Sequence, residues 1–451
     1  MTTATTSNFR VEITNRQILK IALPISLAIL VPQINFITNN IFLGHLDEQS
    51  LATAGITGVF YLVFAVVGQG LNNGLQALIA RRAGENRIDE IGKLFSQSIL
   101  ISLTLALFCI LFTYFFAPWI LQLSLKDEAV KNQAVSFLRI RIWGLPFLFI
   151  YQMRNALLVG TNQSKYLIFG TLAETIVNIT LDYSLIFGYF GLPKLGFNGA
   201  AYASICAEAA GMIVVFAVIH IKGISKQLNL FNSLRLDPKN TWLILTQSSP
   251  LIMQYVISVG SWEFFYIMVE HHGKRDLAIS NTMRNIFGIF GVFTWAFAST
   301  TNTMVSNIIG QGKHEKVIEL ITKIIKLSLC FSLTMAALLN LFPGAFISVF
   351  GQNADFAQAS LPVIRVVSAA LIMMSFSTVW LNAVTGTGNT EVNLAIEIIT
   401  ITCYCIYVYL TLGYFNLPIL YGWMSEWVYW ITTFIFAFFY LQSGKWKQRV
   451  I

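Results

Sequence analysis

The 451-residue chain is 56% hydrophobic and only 11% charged, whereas soluble domains carry about 25% charged residues. So few charges cannot cover a water-soluble protein of this size, so apolar surface must face lipid. The net charge of +8 does not point to nucleic acid, because the cations sit in loops between apolar runs and no basic patch interleaves with base-stacking aromatics.

The opening stretch, Met1 to Arg10, is polar and Thr-rich. No short apolar region with a small-residue cleavage site follows it, so it does not read as a signal peptide. Twelve apolar stretches then follow, at 18–43, 51–79, 95–121, 134–160, 166–189, 198–221, 241–269, 277–309, 317–343, 360–384, 392–413 and 419–441. Each approaches or exceeds the roughly 20 residues that a bilayer crossing needs. An unpaired amide in hydrocarbon is costly, so each stretch is predicted to be helical. The expected fold class is an all-α membrane protein with two pseudo-symmetric six-helix bundles. The expected division is an N-terminal lobe over 1–222, a cytoplasmic linker over 223–240 and a C-terminal lobe over 241–451.

Loop charge sets the expected orientation. Arg10, Arg16, Lys20, Arg81, Arg82, Arg87 and Lys93 crowd alternate loops with Lys165, Lys222, Lys226, Arg235, Lys239, Lys313, Lys316, Lys323, Lys326, Lys445, Lys447 and Arg449. The opposite loops hold only Lys126, Lys131, Lys194, Lys274 and Arg275. By the positive-inside rule both termini are cytoplasmic. The alternation needs an even number of spans, which agrees with twelve.

The two halves repeat. At an offset of 226, Pro24 falls on Pro250, His45 on His271, Leu51-Ala52 on Leu277-Ala278, Arg139 on Arg365, Gly160-Thr161 on Gly386-Thr387 and Gly196 on Gly422. Gly84 matches Gly312 only after a two-residue slip. Six spans per half is an even number, so both halves enter the membrane in the same direction. That plan suits alternating access.

Polar residues inside these stretches are the candidates for chemistry, since an ionisable group at mid-bilayer is costly. Asp182 lies in the fifth stretch with Asn178 one turn earlier, so both face the same way. Asn155 on the fourth stretch and Ser204 on the sixth would add neutral oxygens suited to a hard cation. The competing reading of Asp182 is a hydrogen bond that only ties two helices. Glu263, flanked by Trp262 and Phe264, is a candidate for attracting an organic cation, and Gln33 and Asn35 join it as substrate-cavity candidates. Glu174 and Glu208 are candidates for pairing with Arg154; Glu397 and Glu426 also fall within apolar runs. Pro24 and Pro250 remove a helix hydrogen bond and are candidate hinges. The five cysteines all sit in apolar stretches without metal-site or disulfide spacing. No Walker loop or His-Glu-x-x-His is present, and no convincing Ser-His-Asp set can be assembled, so no enzyme or ATP-driven pump is expected.

Several segments resemble the multidrug and toxic compound extrusion family. They are Ala22-Leu23-Pro24-Ile25, Asn39-Asn40-Ile41-Phe42-Leu43-Gly44-His45-Leu46, Leu51-Ala52-Thr53-Ala54-Gly55, Gly160-Thr161-Asn162-Gln163 with its repeat Gly386-Thr387-Gly388-Asn389-Thr390, and Asn178-Ile179-Thr180-Leu181-Asp182-Tyr183 followed by Gly196-Phe197-Asn198-Gly199-Ala200-Ala201-Tyr202-Ala203-Ser204. The resemblance covers essentially the whole chain. It implies a monomeric secondary antiporter of the bacterial inner membrane, exporting small amphipathic or cationic compounds in exchange for Na⁺ or H⁺ and using no cofactor. It also implies a coupling site around Asp182, Asn178, Asn155, Asn39, Ser204 and Ala200, with Asp182 and Asn178 ligating Na⁺ if sodium is the ion. The chain departs from the family pattern at Asn39, where the family carries a first-helix acid, and near Met374, where other branches carry an acid on the tenth helix. The alternatives are a lipid-linked saccharide flippase of the same superfamily, which should line its cavity with cations, and a membrane-embedded enzyme or receptor.

Overall fold

The computed structural model describes residues 9–46, 48–125, 127–231, 235–348, 354–449 and 451. Met1 to Asn8 of the polar leader and Lys126 of the cation tally lie outside them, as do the side chains of Asn40, Leu51 and Ala52. The described residues form sixteen α-helices. They are α1 Asn15–Leu46, α2 Glu48–Glu85, α3 Ile88–Ser124, α4 Glu128–Arg141, α5 Leu145–Gly160, α6 Leu167–Phe187, α7 Phe197–Ile221, α8 Ile224–Gln227, α9 Pro238–His272, α10 Lys274–Gly310, α11 Val317–Leu341, α12 Pro343–Ser348, α13 Ala354–Thr387, α14 Thr390–Val408, α15 Ile419–Trp423 and α16 Ser425–Gln442.

Twelve long rods emerge. A 3₁₀ turn over Ile142–Gly144 joins α4 to α5, a widened π turn over Tyr409–Tyr414 extends α14, and α15 leads directly into α16. Each predicted stretch has its rod, and most rods overrun the stretch. Hydropathy marks only what lies in hydrocarbon, whereas helical hydrogen bonding continues until a cap or breaker stops it. Asp127 caps α4 by accepting from the Ala129 and Val130 amides at 2.8 and 3.3 Å, and the left-handed Gly188 ends α6. Ten rods are long and apolar enough to cross a membrane. The other two, α6 and α10, hold Glu174, Asn178 and Asp182, and Asp276, Arg284 and Asn302, and these polar residues dilute their hydropathy.

The repeat is sharper in structure than in sequence. The same offset of 226 carries the end of α1 at Leu46 onto the end of α9 at His272. It carries the left-handed Asn162 onto the left-handed Gly388, and Asn86 onto Gly312. The two-residue slip that pairs Gly84 with Gly312 is therefore unnecessary: the turn needs a positive φ, which Asn tolerates almost as Gly does.

Two compact units are present. One comprises Leu27–Arg82 and Arg87–Ser248, the other Met1–Ser26, Ala83–Asn86 and Ser249–Ile451. In the first, α6 and α7 form the most extensive helix pair. Small residues let their backbones meet: a Cβ at Gly199 would lie 2.7 Å from the Leu185 carbonyl, the close approach that membrane helices use in place of a hydrophobic drive. In the second, α13 is held by hydroxyl groups. Ser328 and Ser332 of α11 donate to the Ser375 and Leu371 carbonyls at 3.0 and 2.9 Å, and Ser377 of α13 donates to the Trp430 carbonyl at 2.7 Å. The extended segment before α1 belongs to this unit because the side chain of Asn307 reads its backbone. Asn307 accepts from the Val11 amide and donates to the Phe9 carbonyl, both at 3.1 Å.

Candidate functional site

Within the Leu27–Ser248 unit, the later parts of α1 and α6 pack together through apolar and aromatic side chains. Phe42 of α1 packs on Tyr183 and Phe187 of α6, with ring centroids 6.1 and 6.2 Å apart. Leu43 shares a buried cluster with Ile186 of α6 and with Phe197 and Ala200 of α7. This register sets Asn39, one turn before Phe42 and Leu43, on the stretch of α1 that runs beside Asp182 of α6.

Asp182 is fully buried, and neither carboxylate oxygen has a hydrogen-bond partner among the described residues. The amide oxygens of Asn35 and Asn39 are buried without a partner in the same way. An orphaned buried acceptor costs on the order of 1–3 kcal/mol, more when charged, so four of them on two adjoining helices require an explanation. All four accept and none can donate, which is the donor requirement of a cation or a proton. No ion pair meets that need: Arg141, the charged residue that acts on Asp182 electrostatically, is engaged elsewhere. It holds Glu208 through two contacts of 2.5 and 3.0 Å and covers the Tyr61 ring at 3.9 Å.

The other residues named from the sequence fall as follows. Asn178 is buried on the Asp182 helix, Ala200 is buried on α7 and Ser204 is half-buried there. Asn155 turns its amide oxygen to Arg154 Nη2 at 2.6 Å. Glu208 pairs with Arg141 rather than with Arg154, which corrects the expected pairing. No group of three or more His, Cys, Asp or Glu suited to a metal occurs among the described residues. A cation at Asp182 would therefore rest on one carboxylate and neutral oxygens, and Asn178 lies one turn earlier on the same helix. Pro24 and Pro250 both lie within continuous helices, α1 and α9.

The second unit holds a cavity of about 160 Å³ lined in part by Trp262, Trp295, Tyr404, Tyr429, Trp430 and Glu426. Trp262 is thus placed at a cavity wall, but the acid there is Glu426, whereas Glu263 is half-buried outside the lining. Glu426 accepts from Trp430 Nε1 at 3.0 Å. Behind the wall, the fully buried Glu397 of α14 accepts from Ser258 of α9 and Tyr429 of α16, both at 2.5 Å, and from Gln254 of α9 at 3.3 Å. Asn393 donates to the Gln254 side-chain oxygen Oε1 at 2.6 Å, so the network runs across three helices. Sequence reading noted Glu397 and Glu426 only as acids in apolar runs. The partners of Glu397 lie about 140 and 30 residues away in the chain, and the one available signal was an intramembrane Glu on a helix that also carries Asn393 one turn earlier.

The MatE family model matches residues 24–184 and 250–412. A probable multidrug resistance protein NorM from Thermotoga maritima is 24% identical over 450 residues, spanning 97% of this chain and 94% of its own length. The protein of the same name from Synechocystis is 22% identical over 371 residues, 81% of this chain and 80% of its own. Among solved structures, an outward-facing multidrug resistance MATE family transporter of the MOP superfamily matches with a TM-score of 0.88 at 18% identity, over 99% of both chains. A MATE crystal structure in complex with MaL6 matches with a TM-score of 0.88 at 17% identity, over 98% of both. These structural likenesses establish the twelve-helix, two-lobe fold.

Proposed function

The chain belongs to the MatE family, the multidrug and toxic compound extrusion transporters, and we propose that it is a secondary antiporter that exports small organic cations in exchange for an inward ion. The observation that carries this reading is the buried Asp182 carboxylate with no partner among the described residues, together with the orphaned amide oxygens of Asn35 and Asn39 on the helix packed against α6. A carboxylate in low dielectric must be neutralised before the helices around it can repack, so ion binding and helix arrangement are coupled. With Asn39 in place of a second acid, the donor set suits Na⁺, a hard cation that accepts amide oxygens, better than a two-carboxylate proton relay. Asn178, Asn155, Ser204 and Ala200 complete the proposed surroundings.

The cavity with Glu426 and the rings of Trp262, Trp295, Tyr429 and Trp430 supports an organic cation as cargo, since aromatic faces attract a desolvated cation by about 2 kcal/mol or more. Glu263, Gln33 and Asn35 remain proposed contacts along the substrate's path, and Pro24 and Pro250 the proposed hinges. A lipid-linked saccharide flippase would need cations for its phosphate, and the cavity wall carries an acid instead. The protein is proposed to act as a monomer in the bacterial inner membrane, with both termini cytoplasmic.

The test is uptake of a fluorescent organic cation by everted vesicles under separately imposed Na⁺ and H⁺ gradients. Transport driven by the Na⁺ gradient and abolished when it collapses is expected. Transport driven by H⁺ alone would replace sodium as the ion, and no gradient-driven transport of any cation tried would reject the antiport reading.

A further inference from the structure

The Leu27–Ser248 unit contains two arginine, glutamate and tyrosine sets, and only one of them is closed. In the closed set, Arg141 grips Glu208 with two hydrogen bonds and lies over the Tyr61 ring. In the other, Arg154 of α5 lies over the Tyr151 ring at 3.8 Å and its Nη2 reaches Asn155. Its Nε and Nη1 meet no acceptor at hydrogen-bond geometry among the described residues, although the Tyr151 side chain also acts on it electrostatically. Arg154 is fully buried, and a guanidinium with open donors inside a membrane helix bundle is costly. Glu174 of α6 is half-buried and within electrostatic reach of Arg154, yet no hydrogen bond joins them.

Two glycines let α6 and α7 close up beside these two side chains. A Cβ on Gly170 would collide with Val215 Cγ2 and meet Arg154 Nη1 at 2.6 Å and the Gly211 carbonyl oxygen at 3.1 Å. A Cβ on Gly211 would meet the Glu174 Cβ at 3.1 Å and Oε2 at 3.5 Å. Arg154 and Glu174 therefore flank one close crossing of α6 and α7, separated by a single turn of α6. Arg141 and Glu208, the remaining charged pair acting on Glu174, satisfy each other and leave Arg154 as its open counter-charge.

We propose that Glu174 closes onto Arg154 in a second state of this lobe, so that making and breaking this ion pair accompanies the ion-driven rearrangement. A crossing made of glycine backbone carries no interlocking side chains, so α6 can slide on α7 by a fraction of a turn, and the two open donors of Arg154 then find their acceptor. Glu174 and Arg154 are positioning residues: neither needs to touch the transported molecule. The proposal rests on the antiport reading for its timing but not for the pair itself.

The test uses Glu174→Gln, Glu174→Asp, Arg154→Gln and the Glu174→Gln/Arg154→Gln double variant of the full chain. Glu174→Gln should leave the melting temperature of the purified protein unchanged, because the bond is not made in the state described, yet slow efflux about tenfold. Glu174→Asp should recover most of the rate, and the double variant should be no slower than Arg154→Gln. Wild-type rates in Glu174→Gln, or single losses that multiply in the double variant, would overturn the proposal; if Arg154→Gln fails to fold, equal rates for Glu174→Gln and Glu174→Asp do the same. A second readout does not need transport. Labelling of Glu174 by a hydrophobic carbodiimide, read by mass spectrometry, should rise about tenfold in Tyr151→Phe/Arg154→Lys relative to Tyr151→Phe, since Lys cannot reproduce the fork. Unchanged labelling rejects the pair even if the wild-type chain moves no cargo, whereas absent wild-type efflux with increased labelling rejects only the antiport reading.

Discussion

Asp182 and Glu397 are both fully buried carboxyls inside helices, and their surroundings give them opposite roles. Glu397 is met by three donors from two neighbouring helices, so it ties α9, α14 and α16 together. Asp182 has no donor among the described residues, so it is poised to take a ligand. The mutational signatures should separate accordingly. Asp182→Asn keeps the shape and removes the charge, so it should fold, reach the membrane and bind the organic cation with its affinity intact, while gradient-driven efflux falls to background. Vesicle transport paired with equilibrium binding to the purified protein checks this, and a wild-type efflux rate would reject Asp182 as the coupling residue. Glu397→Leu should instead destabilise by roughly 1–3 kcal/mol for the donors it strands, and Glu397→Gln by less, because an amide oxygen remains to accept. Melting temperatures in one detergent decide it: equal values for Leu and Gln would mean that the network contributes nothing. Asn39→Asp restores an acid beside Asp182, and it should make transport sensitive to the proton gradient, measured in the same vesicles.

At the scale of the element, glycine and hydroxyl residues decide how closely helices approach. Gly199 sits where α7 meets the backbone of α6 at Leu185 and Ile186, and main chain cannot yield as a flexible side chain can. Gly199→Val should therefore cost roughly 1–3 kcal/mol through overpacking, enough to outweigh the gain of up to about 1 kcal/mol from removing a helical glycine. Gly260 in α9 has open space around its Cβ position, so Gly260→Ala should be neutral or stabilising. Comparing the two melting shifts tests whether packing or propensity rules these helices, and a stabilised Gly199→Val would contradict the packing account. Hydropathy cannot see such contacts, since glycine reads alike whether it faces lipid or a neighbouring backbone.

At the scale of the whole molecule, the cation bias of alternate loops predicts that both termini and the segment around Lys239 lie on the cytoplasmic side. In a cysteine-free background, Lys239→Cys should resist a membrane-impermeant maleimide in intact cells and react in everted vesicles. Labelling from outside would invert the topology and with it the direction of export. The internal repeat operates at this scale too: helix ends and left-handed turns recur at an offset of 226, whereas the acids buried within the helices do not. Asp182 has Val408 at its repeat position and Glu426 has Ala200. The architecture is duplicated, but the acidic chemistry has been placed differently in each half.

Twelve spans, the repeat and the family were legible in the sequence because they rest on signals additive along the chain: runs of apolar residues, loop cations and motif order. Asp182 and Trp262 were legible for a related reason, as each is an unusual residue in an apolar run or beside an acid. Which acids are satisfied was not legible. Glu397, Glu208 and Glu174 look alike in sequence, and only helix packing gives the first three donors, the second an arginine and the third a place near Arg154 without a hydrogen bond to it. Hydrogen-bond partners come from residues distant in the chain, and whether they meet depends on helix rotation and on close approach at glycines. Those features vary by ångströms, and composition does not register them.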